Sequence, residues 1–284
     1  MCNDKPDGDA RRCYPSDLPD AGWAVLQPLM PVRDARKGGA RRRYDDRLVL
    51  DAIFFVLRSG CQWRMIPRDL LPWDAAYRWY RHWRRDGTWD RVHDTLRDLV
   101  RAADGRDPEP SAAVLDAQSI VSGEGGQARG FDMAKRTRGR KRHLVVDTLG
   151  LLLVVTVTSA AVQDRPGGRA ILARLAAAFP TVGLVWADGG YANRIDNSLL
   201  AWAAAKLRLV VAIVKRSDEV KGFQVLPRRW VVERTFGWLV RNRRLARDYE
   251  LPDVGVTRII RRPWLSRADA VCMVREGPEL GGSG

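Results

Sequence analysis

Histidine is nearly missing from this 284-residue chain: His82, His93 and His143 are all there is. That scarcity argues against a zinc centre built on imidazole. Cysteine is also scarce. Cys2, Cys13, Cys61 and Cys272 lie far apart with no C-x-x-C pair, which excludes a disulfide framework and a zinc ribbon and suits a reducing cytosol. The longest apolar run, residues 149–162, contains threonines and is too short to span a bilayer. The opening residues, Met-Cys-Asn-Asp-Lys-Pro-Asp, carry no apolar signal core. No internal repeat or low-complexity tract is present. A soluble cytoplasmic protein is expected. Acidic residues are in short supply as well, 34 against 49 Lys and Arg, for a formal charge of +15. Such an excess asks for a polyanionic partner, nucleic acid first and an anionic membrane surface second. Much of it is arginine, which suits bidentate phosphate contacts.

The pattern of apolar residues divides the chain at Gly105-Arg-Asp-Pro-Glu-Pro110. Residues 1–105 read as an all-helical N-terminal domain with DNA-binding character. Residues 1–16 are expected to be disordered. Helices are expected from Ser16 or Asp17, over 45–59 with Gly60 as the stop, over 73–83 and over 89–103. Residues 33–43 make a basic loop. From 106 to 250 the period changes to short Val- and Leu-rich runs at 112–118, 143–147, 151–158, 183–187 and 208–214. Helical patterns fall at 167–178, 191–205 and 227–245, and Asp147-Thr-Leu-Gly150 reads as a hairpin turn. The order β-β-β-α-β-α-β-α predicts an α/β domain with a mixed sheet covered by helices. Residues 251–284 lack a sustained apolar period and carry several prolines and glycines, so a poorly ordered tail is expected.

Three acids stand out in this basic background. Asp116 lies in the first strand, Asp188 ends the fourth and is followed by Gly189-Gly190, and Glu233 sits on an arginine-rich amphipathic helix with a Val232-Phe236-Leu239 core stripe. A buried carboxylate is costly unless it is paired or binds metal, and sites in α/β sheets gather beyond strand ends. Cleavage of a phosphodiester gains from two divalent ions roughly 3.5–4 Å apart, and magnesium takes oxygen ligands. Each acid alone is more often a cap or a solvated side chain; their joint fit to the strand order is what carries weight.

The strings Asp20-Ala-Gly-Trp23, Ser59-Gly-Cys-Gln-Trp63-Arg, Trp83-Arg-Arg-Asp-Gly-Thr-Trp89, Leu115-Asp116-Ala-Gln-Ser119, Gln163-Asp164, Ala187-Asp188-Gly-Gly-Tyr191-Ala and Arg229-Trp-Val-Val-Glu233-Arg-Thr-Phe-Gly-Trp238 carry a resemblance. Over about residues 17–250 the chain resembles the DDE transposases of bacterial insertion sequences, in the insertion-sequence-five group. The resemblance implies a ribonuclease H-like mixed sheet with helices on both faces. It also implies a catalytic, metal-binding triad at Asp116, Asp188 and Glu233, two Mg2+ ions for which Mn2+ substitutes, and a homo-oligomer working on double-stranded DNA in the nucleoid. Arg229 stands four residues before the glutamate, as in the family signature. Leu226 and Val240 replace a tyrosine and a lysine of the wider pattern, with Arg241 next to Val240. The motif match stops near Tyr249-Glu250, and the replaced end raises the alternative of an inactive DNA-binding remnant. A ribonuclease H-like nuclease without strand transfer is the other alternative.

Two basic clusters complete the expectation. Arg138, Arg140, Lys141 and Arg142 precede the second strand of the reading, and Arg228, Arg229, Arg241 and Arg244 surround Glu233. Both are expected to contact DNA phosphates, which would make affinity fall steeply with salt.

Overall fold

In the computed structural model the described residues are 14–32, 43–123, 129–192, 195–214 and 230–249. The basic loop at 33–42, Arg228, Arg229 and the tail from 251 on lie outside them. Two compact units emerge. One runs through Arg106 and takes in Asn242–Leu245; the other runs Asp107–Arg241 and resumes at Ala246.

The first unit is helical throughout: α1 (Asp20–Leu26), α2 (Asp46–Ser59), α3 (Trp73–Arg85) and α4 (Thr88–Ala103), with short 3-10 turns between them. Asp45 caps α2 by accepting the Arg47 N–H, and Gly60 ends it in the left-handed region at φ 75°. The buried stripe of α2 includes Ile53, Phe54, Val56 and Leu57. Tyr80 and Trp83 of α3 are buried, but Trp73 at its start is exposed, with the Arg64 guanidinium over its ring. Two expectations fail here. Residues 14–16 are ordered, since Tyr14 sets its hydroxyl within 3.0 Å of both Asp69 oxygens and its ring against Phe55. The first helix starts at Asp20 rather than near Ser16, because Asp17 accepts the Tyr14 N–H in a preceding turn.

The second unit is mixed α/β. Its elements are β1 (Ala112–Val121), β2 (Gly130–Asp132), β3 (Thr137–Asp147), β4 (Leu152–Ser159), α5 (Asp164–Ala178), β5 (Leu184–Ala187), α6 (Ser198–Leu207), β6 (Val210–Ile213) and α7 (Trp230–Val240), before the short α8 (Arg243–Ala246) that begins in the first unit. Among the described residues six strands form one sheet in the order β2-β3-β1-β5-β6, with β4 also paired to β3. β3 runs antiparallel to β1 and β4, whereas β1, β5 and β6 are parallel. The β3–β4 hairpin turns where expected. Asp147 accepts the N–H groups of Leu149 and Leu151, and Gly150 takes φ 80°.

Side chains alternate across the sheet. Ala113, Leu115, Val145, Val185 and Ala187 face α5 and α6 and join Ile171, Leu172, Leu175 and Leu199 in one apolar cluster. Gly167 and Gly168 let α5 come close. A Cβ on Gly167 would fall 2.1 Å from His143 Cε1, and one on Gly168 would fall 2.8 Å from Tyr191 Cδ1. Val114, Asp116, Leu144 and Val146 point to the other face. There α7 contacts β1 and β3, burying Val231, Val232, Thr235, Phe236 and Leu239. The Thr235 hydroxyl sits 2.9 Å from the Gly150 carbonyl oxygen, and Arg234 donates to that of Leu149. α7 is thus seated on the hairpin turn.

Candidate active site

The sheet itself brings Asp116 and Asp188 together. β1 and β5 pair in register as Ala112↔Leu184, Ala113↔Val185 and Val114↔Trp186. Asp116 lies two residues beyond the last of these pairs on β1, Asp188 follows the end of β5, and both act on the Tyr191 hydroxyl through their charge. Both aspartates are half-buried. Each has a local donor on one oxygen: the Ala117 N–H at 2.7 Å for Asp116 and the Gly190 N–H at 2.9 Å for Asp188. Glu233 lies on the exposed flank of α7, on the same side of the sheet.

A third aspartate adjoins Asp188. Asp164 opens α5 directly after β4, and a Cβ on Gly190 would fall 3.0 Å from both Asp164 Oδ2 and Asp188 Oδ1. The motif Gln163-Asp164 was visible in the sequence, yet no role fell to it there. Its position at a helix start beyond a strand end is the signal that locates it. Lys141 holds Asp164 at 3.0 Å and Asp132 at 3.4 Å. Burial pushes the Asp132 carboxyl up, but the Ser119 hydroxyl, the Lys135 N–H and Lys141 together bring it down to about 2. Tyr191 completes the group. Its hydroxyl is buried, has no hydrogen-bond partner among the described residues, and feels Asp116, Asp164 and Asp188 together.

These groups fit a hard divalent cation, because carboxylate oxygens are the donors such ions take. Among the described residues no three His, Cys, Asp or Glu side chains are gathered as a ready metal cage. Asp116, Asp188 and Glu233 are thus not gathered into one such group.

The basic residues divide sharply. Arg138 and Arg241 are exposed. Arg140, Lys141 and Arg142 are only 3%, 5% and 1% exposed, because β3 begins at Thr137 and carries them into the sheet. Arg140 pairs with Asp248 at 2.8 Å, and Lys141 pairs as described. Burial pulls Arg142 down to about 10, against the pull of Asp248, so it stays charged at neutral pH. In this structure those three are interior cations rather than an exposed phosphate-binding strip. Arg244 belongs to the first unit and donates to the Cys61 carbonyl oxygen. Beside Glu233, Arg234 lies between the rings of Trp230 and Trp238, at 4.4 and 4.7 Å.

Comparison with known proteins agrees with this geometry. Residues 107–262 match the family model "Transposase DDE domain", and residues 18–93 match "Putative transposase of IS4/5 family". The chain belongs to the IS4/5-family DDE transposases. The first of these matches covers more than half of the chain and runs past Glu250, where the motif resemblance stopped. The transposase is 34% identical over 117 residues to the "Insertion element IS402 uncharacterized 16.2 kDa protein" of Burkholderia cepacia, a stretch that is 40% of this chain and 78% of that one. It is also 34% identical over 87 residues to the "Uncharacterized protein y4sN" of Sinorhizobium fredii, covering 31% and 66%. DNA is the substrate that this family implies, and DDE domains generally use divalent metals. No helix among the described residues is long and apolar enough to cross a membrane.

Proposed function

We propose that this transposase binds the terminal inverted repeats of its own insertion sequence, cuts at the element ends and joins the freed 3′ hydroxyls to target DNA. What supports this reading is that Asp116 lies on β1 and Asp188 just beyond β5, its parallel neighbour, while α7, the helix that bears Glu233, contacts β1. The strand order, with β3 antiparallel beside three parallel strands, supports a ribonuclease H-like domain over 106–250 behind a helical DNA-binding domain over 1–105.

Asp116, Asp188 and Glu233 would hold two Mg2+ ions, with Mn2+ able to substitute. Such ions, when bound, would supply the positive charge that stabilises phosphodiester cleavage. The chain's own groups do the rest. Lys141 holds Asp164 in place beside the aspartate pair. The exposed Arg138 and Arg241, with Arg228, Arg229 and Arg244, neutralise DNA phosphates. The protein works as a homo-oligomer on DNA in the bacterial nucleoid. Incubating labelled ends, taken from inverted repeats flanking the gene, with a supercoiled plasmid and Mg2+ tests this. Joined products are expected. Cleavage without joining would make the protein a nuclease, and binding without cleavage would make it an inactive remnant.

A further inference from the structure

Tyr191 lies three residues beyond Asp188, and its N–H donates to the Asp188 carbonyl oxygen. The side chain is 1% exposed, and its ring packs where a Cβ on Gly168 would otherwise intrude. Yet among the described residues its hydroxyl has no hydrogen-bond partner. An unpaired buried hydroxyl is costly and calls for an explanation. The explanation is in what surrounds it. The ring lies against Gly168, one turn of α5 beyond Asp164, and Asp164 and Asp188 meet at Gly190; with Asp116 they act on the hydroxyl through their charge, and a tyrosine hydroxyl can donate to a carboxylate.

In the structure each of these carboxylates turns one oxygen to a different local donor: Asp116 to the Ala117 N–H, Asp164 to Lys141 and Asp188 to the Gly190 N–H. We propose that Tyr191 is a positioning residue whose O–H is reserved for these carboxylates, and that it donates to one of them once a divalent cation draws them inward. The hydroxyl then fixes the orientation of the aspartate pair, in the way outer-shell hydrogen bonds orient metal ligands. The proposal rests on the metal-site reading above.

The test is Tyr191→Phe in the full chain, which keeps the ring and removes only the hydroxyl. Two quantities are read: the Kd for Mn2+, from the electron paramagnetic resonance signal of free Mn2+, and the Tm without divalent ions. The Kd is expected to rise about tenfold, while the Tm without Mn2+ holds or rises because an unpaired polar group has gone. A Kd within twofold of the parent overturns the proposal. So does a clear fall in Tm without Mn2+, which would show that the hydroxyl already has a structural partner. If the parent chain itself binds no Mn2+, the metal-site reading fails first and this inference falls with it.

Discussion

Replacing Asp248 by alanine should destabilise the second unit strongly. Arg140 and Asp248 lie 2.8 Å apart at 3% and 2% exposure, an ion pair shut off from water. The backbone reinforces it: Asp248 donates to the Val121 carbonyl oxygen and accepts from the Gly123 N–H. Arg142, two residues along β3 and 1% exposed, also feels the Asp248 charge. Removing the carboxylate strands positive charge inside the sheet. Breaking a buried pair in this way costs about 3–5 kcal/mol, and a unit of this size loses roughly 2–4 °C of Tm per kcal/mol. Urea unfolding followed by tryptophan fluorescence reads the change. The double variant Arg140→Met/Asp248→Leu should recover most of the loss, because an apolar pair of similar volume no longer carries the desolvation penalty. The double-mutant cycle should then give a coupling of about 2 kcal/mol or more. A cost below about 1 kcal/mol for Asp248→Ala, or a double variant as unstable as the sum of the singles, would refute the reasoning.

Two further outcomes follow from buried charge. Burial holds His143 at about 4, below its usual 6.5, so the folded state binds fewer protons than the unfolded one between those values. Stability is full above pH 6.5 and falls by up to about 3 kcal/mol toward pH 4. Asp132, held at about 2, adds its loss only below about pH 4, so a urea midpoint that stays flat from pH 6.5 to 5 would contradict the His143 account. For DNA binding, neutralising Arg138 or Arg241 should reduce the slope of log affinity against log salt by about 1. The apolar replacement Arg142→Met should leave that slope unchanged, and a reduced slope would show that this interior cation reaches the phosphates.

The places of the candidate residues in the fold were legible because they obey local rules. Ala113-Val114-Leu115 is an apolar run that announces β1 and so places Asp116. The Val232-Phe236-Leu239 stripe announces α7 and places Glu233 on its outer flank. Charge in the interior was not legible. Arg140, Lys141 and Arg142 read as DNA-contacting cations, because no local pattern shows that Asp248, Asp132 and Asp164 neutralise the first two from distant parts of the chain. β3 was accordingly expected only from 143, whereas it starts at Thr137, and β2 pairs with its early end. α6 was expected from 191 but begins at Ser198, whose N–H is taken by Asp196. Tyr191 belongs instead to the turn after Asp188, buried against α5.

The central claim is that Asp116 and Asp188, together with Glu233, are ligands for divalent cations that cut DNA. Asp188→Asn tests it most directly, since the change removes one charge and keeps the shape. The account predicts that the purified variant binds element-end DNA like the parent but produces no Mg2+-dependent strand cleavage. Cleavage by the variant at the parent rate, or cleavage by the parent that persists in excess EDTA, would contradict it.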